Sequence, residues 1–248
     1  MRHRHTRQYL PFGDRLRDVS PVLVAHGTRN PHGVSVIAEI AEAVGKQVGT
    51  TRTAFVDVLG PTPAEVIADV DRPAVLVPAF LASGYHVRKD LPQHVEAAGR
   101  CDTIVTRALG PDPAIADVAR LRLVEAGWEP GDSVVLAAAG SSDESACGQV
   151  HLAARQLESI IGGRVEVGFI TTATPSVPEA VERASRNGRR VAIASYLLAP
   201  GLFHQRLHTY GADVVADPLG ADQRIVDLIV TRMRAAISPY RRQAPVSG

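Results

Sequence analysis

The chain has 248 residues, of which 45% are apolar, 21% charged and 4% aromatic, and its formal net charge is +1. That length accommodates two α/β lobes of ordinary size, and the near-neutral balance excludes a chain built to grip nucleic acid or an anionic membrane. Two isolated cysteines, Cys101 and Cys147, exclude a disulfide scaffold or a thiolate metal knuckle and fit reduced thiols in a cytoplasmic protein.

Residues 1–19 read as a flexible basic extension. They hold His3 and His5 but no apolar stretch and no small-residue cleavage site, so they do not make a signal peptide. No apolar run is long enough to span a membrane. Four runs then have the character of buried parallel strands: Pro21–Ala25, Thr53–Val58, Ala74–Pro78 and Thr103–Thr106. Helical patterns separate them. Ser35–Val44 sets Val36, Ile40 and Val44 on one face, Pro63–Val70 opens with Pro in its first turn, and Pro113–Ala126 aligns Ile115, Val118 and Leu121 before Gly127.

After Gly127–Gly131, read as a hinge with Trp128 packed into it, the order repeats. Ser133–Ala137 leads into Ala139-Gly140-Ser141 where the first half has His26-Gly27-Thr28. Gly168-Phe169-Ile170 through Glu179 answers Ala54-Phe55-Val56 through Glu65, and Val191–Leu198 followed by Ala199-Pro200-Gly201 answers Ala74–Leu81 followed by Ala82-Ser83-Gly84. Leu219-Gly220-Ala221-Asp222 answers Leu109-Gly110-Pro111-Asp112, and the offset stays at roughly 110 to 117 residues, a register that marks a duplication. The expected fold is therefore α/β: two tandem-repeated, doubly wound parallel-sheet lobes, residues 20–127 and 128–238, facing a central cleft. A polar, Pro-containing tail, residues 239–248, is expected to be flexible.

Two motifs carry the chemistry. Ala25-His26-Gly27-Thr28-Arg29 follows the first strand, and Leu81-Ala82-Ser83-Gly84-Tyr85-His86 follows the third. In a flavodoxin-like strand order those strands are neighbours at the switch point, where open α/β sheets bind ligands, so His26 and His86 are expected to approach each other. Paired imidazoles suit a divalent metal or a proton transfer near neutral pH. The second half carries Ala139 opposite His26 and Phe203 opposite His86, with His204 one position out of register. A purely structural role would predict the same residue in both copies, so the asymmetry favours chemistry in the first half alone. His32 and His94 read as surface residues, and Ser141-Ser142-Asp143 as a helix cap.

The strand ending in Ala-His-Gly-Thr-Arg, the Phe-Val-Asp beside Pro-Thr-Pro-x-Glu, and the Val-Pro-x-Phe-Leu-x-x-Gly-Tyr-His segment together resemble the sirohydrochlorin chelatase family in its long, two-lobed class II form. The resemblance runs from about residue 21 to 238. It implies ATP-independent insertion of a divalent metal, iron favoured and cobalt next, into sirohydrochlorin for sirohaem or cobalamin synthesis. It assigns His26 and His86 to the metal and the pyrrole protons, and Leu81, Ala82, Ser83, Gly84, Tyr85 and Asp57 to the substrate. Members of the family often carry Glu where this chain has Gly60, which leaves the acidic contact to Asp57. A polycarboxylate substrate calls for cations, and Arg29, Arg88 and Lys89 flank the motifs. Beyond the substrate metal no cofactor is expected, and ATP is not, because neither GxxxxGK[ST] nor a strand-linked GxGxxG occurs. The expected partners are sirohydrochlorin and the metal, with neither nucleic acid nor membrane, in a monomer or homodimer.

Two other classes compete with this reading. A histidine phosphatase also runs a strand into His-Gly but needs Arg before the His, where this chain has Ala25. A cytosolic metal or tetrapyrrole carrier would bind without turnover.

Overall fold

A computed structural model of the chain describes residues 16–238. The extension before residue 16 and the tail after 238 lie outside the described residues. Two four-stranded, all-parallel sheets form the frame. In the first, β1 (Ser20–Ala25), β2 (Arg52–Phe55), β3 (Ala74–Pro78) and β4 (Ile104–Val105) stand in the order β2-β1-β3-β4. In the second, β5 (Ser133–Ala138), β6 (Val165–Phe169), β7 (Val191–Tyr196) and β8 (Val214–Val215) repeat it as β6-β5-β7-β8. The β1–β3 adjacency expected from sequence is present, with Val22 opposite Leu76.

The helices of the first half are α1 (Pro31–Val48), α2 (Pro63–Ala68), α3 (Leu91–Ala97) and α4 (Pro113–Glu125); those of the second are α5 (Glu144–Ile161), α6 (Val177–Ser185), α7 (Leu202–Leu207) and α8 (Gln223–Ile237). Their starts are written in the sequence. Asn30 caps α1 and Asp143 caps α5, each accepting a backbone N–H of the first turn. Thr62-x-x-Glu65 and Ser176-x-x-Glu179 form capping boxes on α2 and α6. Hydrogen bonds from Thr62 and Ser176 hold the Glu65 and Glu179 carboxyls below the usual carboxylate range.

The layers are helix, sheet, helix, sheet, helix. Val22, Val24 and Leu76 pack outward against Val66, Ile67 and Leu91 of α2 and α3. Val135, Ala137 and Ile193 do the same against Val177, Ala180 and Leu207 of α6 and α7. Between the sheets one apolar core runs through both halves, from Leu23, Ile40 and Val77 to Leu136, Leu157 and Ile229. Each fully buried aliphatic side chain contributes about 1.5–3 kcal/mol.

The last helix of each half crosses over. α4 packs on β7 and α5, while α8 packs on β3, α1 and α4. The exchange is pinned by Arg232 of α8, which is buried and donates to the Leu109 carbonyl at 3.2 Å and the Asp112 carboxylate at 2.9 Å. A buried charge persists only when paired in this way.

Four expectations shift. The second strand runs over Arg52–Phe55 and stops short of Val58, where the chain turns at Asp57. The fourth strand shortens to Ile104–Val105, and both side chains are exposed at the edge of the sheet. The first helix begins at Pro31, not Ser35, since Asn30-Pro31 is a cap followed by Pro at the first position. A π-helical turn, His86–Asp90, and α3 continue where the sequence suggested only a loop ending at His86. Among the described residues no helix is long and apolar enough to cross a membrane.

Candidate active site

His26 is the first residue past β1, on the exposed carboxyl edge of the sheet. The chain turns sharply there because Gly27 adopts φ +102°. A Cβ on Gly27 would stand 2.1 Å from the Asp57 carbonyl oxygen, so only glycine lets the two loops touch. The Asp57 N–H donates to the His26 carbonyl at 3.0 Å, which fixes the turn and brings Asp57 beside the first motif. Asp57 is exposed, and its carboxylate accepts the Val58 N–H at 2.7 Å.

His86 opens the π turn behind β3. Its ring centroid lies 4.5 Å from that of His26, with the planes at 82°. Residues distant in sequence thus meet where β1 and β3 run side by side. Phe80 stacks 6.3 Å away and Tyr85 meets the His86 ring edge-on at 6.0 Å, so aromatic surface frames the imidazole.

The partners of the two rings set their tautomers. His86 Nδ1 lies 2.5 Å from Asp90 Oδ2. A carboxylate oxygen accepts, so Nδ1 is the donor, and in the neutral ring the lone pair then sits on Nε2. His26 Nδ1 faces the Gly27 carbonyl at 3.2 Å, which imposes the same choice. In the neutral form both imidazoles would therefore present Nε2 as metal ligand or proton acceptor. Asp90 escaped the sequence reading; its only signal was the four-residue spacing in His86-Val87-Arg88-Lys89-Asp90. Carboxylates behind ligating histidines are worth about 10–100-fold. Asp90→Ala is therefore expected to lower metal affinity and turnover together by that order, with the far-ultraviolet circular dichroism unchanged.

The second half holds the Leu81–His86 segment from behind. The Leu81 carbonyl accepts the Tyr196 hydroxyl at 3.1 Å. Burial pushes that phenol far up, with the nearby Asp112 charge adding to the shift, so it remains a neutral donor. The Ser83 N–H donates to Gln149 Oε1 at 2.7 Å. Arg88 donates to Ser145 Oγ at 2.6 Å and stands 3.4 Å from an Asp143 carboxylate oxygen, so it ties the π turn to the cap of α5. Ala82 and Gly84 are half-buried, and Tyr85 is exposed. Arg29 and Lys89 are exposed beside the motifs, as is His32; His94 is half-buried on α3.

The second half lacks the pair. Ala139 replaces His26, and the half-buried Phe203 stands at the place of His86. His204 turns toward the Ala216 carbonyl at 3.3 Å, and burial, with His208 beside it, holds its imidazole below the ordinary value. Trp128 lies in the inter-sheet core. Among the described residues no group of three or more His, Cys, Asp or Glu side chains could hold a metal. A two-imidazole site of this kind leaves most coordination positions open, which suits an ion in transit better than a resident one.

The family model for CbiX matches residues 20–126 and 133–236, one segment in each half. The chain belongs to the CbiX family. Its two matched segments are the two halves of the duplication. The sirohydrochlorin cobaltochelatase of Methanopyrus kandleri is 29% identical over 140 residues, which is 96% of that protein but 44% of this chain. Among solved structures, SirB from Bacillus subtilis with Fe3+ superposes with a TM-score of 0.76 at 20% identity, covering 89% of this chain and 96% of that one. SirB from Bacillus subtilis subspecies spizizenii in complex with cobalt gives 0.73 at 18% identity, covering 89% and 95%. These likenesses establish the class II chelatase architecture for this CbiX-family chain.

Proposed function

We propose that this protein inserts Fe2+ or Co2+ into sirohydrochlorin without ATP, using His26 and His86. The observation that carries the reading is the imidazole pair with centroids 4.5 Å apart, each ring engaged through Nδ1. Metallation removes two pyrrole N–H protons and places one M2+ in the ring, so the net reaction releases two protons. A neutral imidazole can deliver the ion or take up one proton, and two imidazoles match the two protons. The Nδ1–H bonds to Asp90 and to the Gly27 carbonyl stabilise each ring when Nε2 is protonated. Asp57, Arg29 and the Leu81–Tyr85 segment lie around the pair and are assigned to the substrate.

The related cobaltochelatase and the SirB structures with Fe3+ and with cobalt support this substrate and both metals. Two histidines rank divalent ions by the general affinity order, so metal supply decides between iron and cobalt more than the ligands do. The test is an anaerobic absorbance time course of sirohydrochlorin with Fe2+, and separately Co2+, at several enzyme concentrations. Metallation at a rate proportional to enzyme, over many turnovers, is the expected result. Stoichiometric pigment binding without turnover would make the protein a carrier.

A further inference from the structure

The two halves meet through the same atoms twice. A Cβ on Gly84 would stand 3.3 Å from Ser141 Oγ, and a Cβ on Gly201 would stand 3.3 Å from Thr28 Oγ1. Gly84 and Gly201 are equivalent positions of the repeat, and so are Ser141 and Thr28. The junction is thus an internal two-fold, with the turn after the third strand of each half seated on the loop after the first strand of the other. The residue after each glycine therefore flanks that junction on the exposed side. In the first half it is Tyr85, 58% exposed and edge-on to His86; in the second it is Leu202, 59% exposed.

A lone exposed leucine carries little information. Its place here carries more, because the neighbouring substitutions run in one direction. Where the first half has His26, Tyr85 and His86, the second has Ala139, Leu202 and Phe203. At these three positions each group able to ligate a metal or exchange a proton is replaced by an apolar one, while the turn is retained; His204, the next residue, turns to the Ala216 carbonyl with His208 at 5.0 Å. A free tetrapyrrole has apolar faces and a charged rim. The ion must arrive at one face, which leaves the rest of the macrocycle's apolar surface to lie against apolar side chains.

We propose that the second half's copy of the motif is the apolar wall of the substrate site, with Leu202 lying against the macrocycle across the junction from Tyr85. This rests on the tetrapyrrole reading above. Leu202 is thereby a substrate-binding residue that leaves metal delivery to the first half.

The experiment titrates sirohydrochlorin into metal-free protein by absorbance and, separately, Co2+ into pigment-free protein. Burying a leucine against an apolar face is worth about tenfold or more in affinity, so the uncharged Leu202→Ser is expected to weaken pigment binding by at least about tenfold. Its Co2+ affinity should stay within about twofold of the parent, a separation that a folding defect would not produce. Leu202→Met should bind pigment like the parent. Unchanged pigment binding in Leu202→Ser, with the parent binding well, overturns this proposal alone. A parent that binds Co2+ but no pigment overturns the tetrapyrrole reading with it.

Discussion

Replacing His26 and His86 together by alanine is expected to abolish metal insertion while leaving the protein folded. Each single replacement should cost at least about a hundredfold in rate, because a positioned acid–base group contributes roughly 10²–10⁴. The two losses should not multiply, since one imidazole cannot both hold the ion and finish deprotonation alone. Stability should barely move for His26, which is exposed and donates only to its own neighbour's carbonyl. His86→Ala leaves Asp90 without its 2.5 Å partner, but that carboxylate is 21% exposed and water can reach it, so the cost should stay near about 1 kcal/mol. Initial rates with Co2+ as the metal, alongside thermal melts, make the comparison. A folded double variant that still turns over would remove both histidines from the mechanism.

The second large effect falls on a residue with no reactive group. Gly27→Ala is expected to destabilise the protein by roughly 2–4 kcal/mol and to cost most of the activity that survives. Two penalties act at once. The backbone at φ +102° suits only glycine, and the new methyl would sit 2.1 Å from the Asp57 carbonyl oxygen. Relief requires the loops after β1 and β2 to part, which breaks the Asp57 N–H to His26 carbonyl bond and moves the imidazole. Gly49→Ala separates the terms, because Gly49 has φ +96° but nothing within 4 Å of the added Cβ. It should show the backbone term alone, about 1 kcal/mol. Equal urea midpoints for the two variants would mean that the loop contact matters little.

Much of this was legible in the sequence for a definite reason. Buried parallel strands are short apolar runs, and a duplication repeats them in register, so the β1–β3 neighbourhood and the meeting of His26 with His86 followed from order alone. The contrast of His26 with Ala139 marked, within one chain, the positions where the two halves differ. What stayed hidden depends on partners, not on pattern. Ile104 and Val105 are β-branched like any core strand, yet lie on an uncovered edge. Asp90 is one acidic residue among the charges after His86, and only the π turn brings it to Nδ1. Periodicity shows that α4 and α8 have apolar faces but not which sheet each face covers. The role of Tyr196 could not be read either, because its counterpart in the first half is Ala79 and its partner is a backbone carbonyl.

The helix exchange, with α4 on the second sheet and α8 on the first, means that neither half completes its own core. Two separate copies of one half, paired about a true axis, would satisfy the same packing but would have to be identical, so a histidine gained in one would appear in the other. Joining them in one polypeptide removes that constraint. The two equivalent turns are then free to differ, one carrying His26 and His86 and the other Ala139 and Phe203, without any change in the packing that keeps both halves folded.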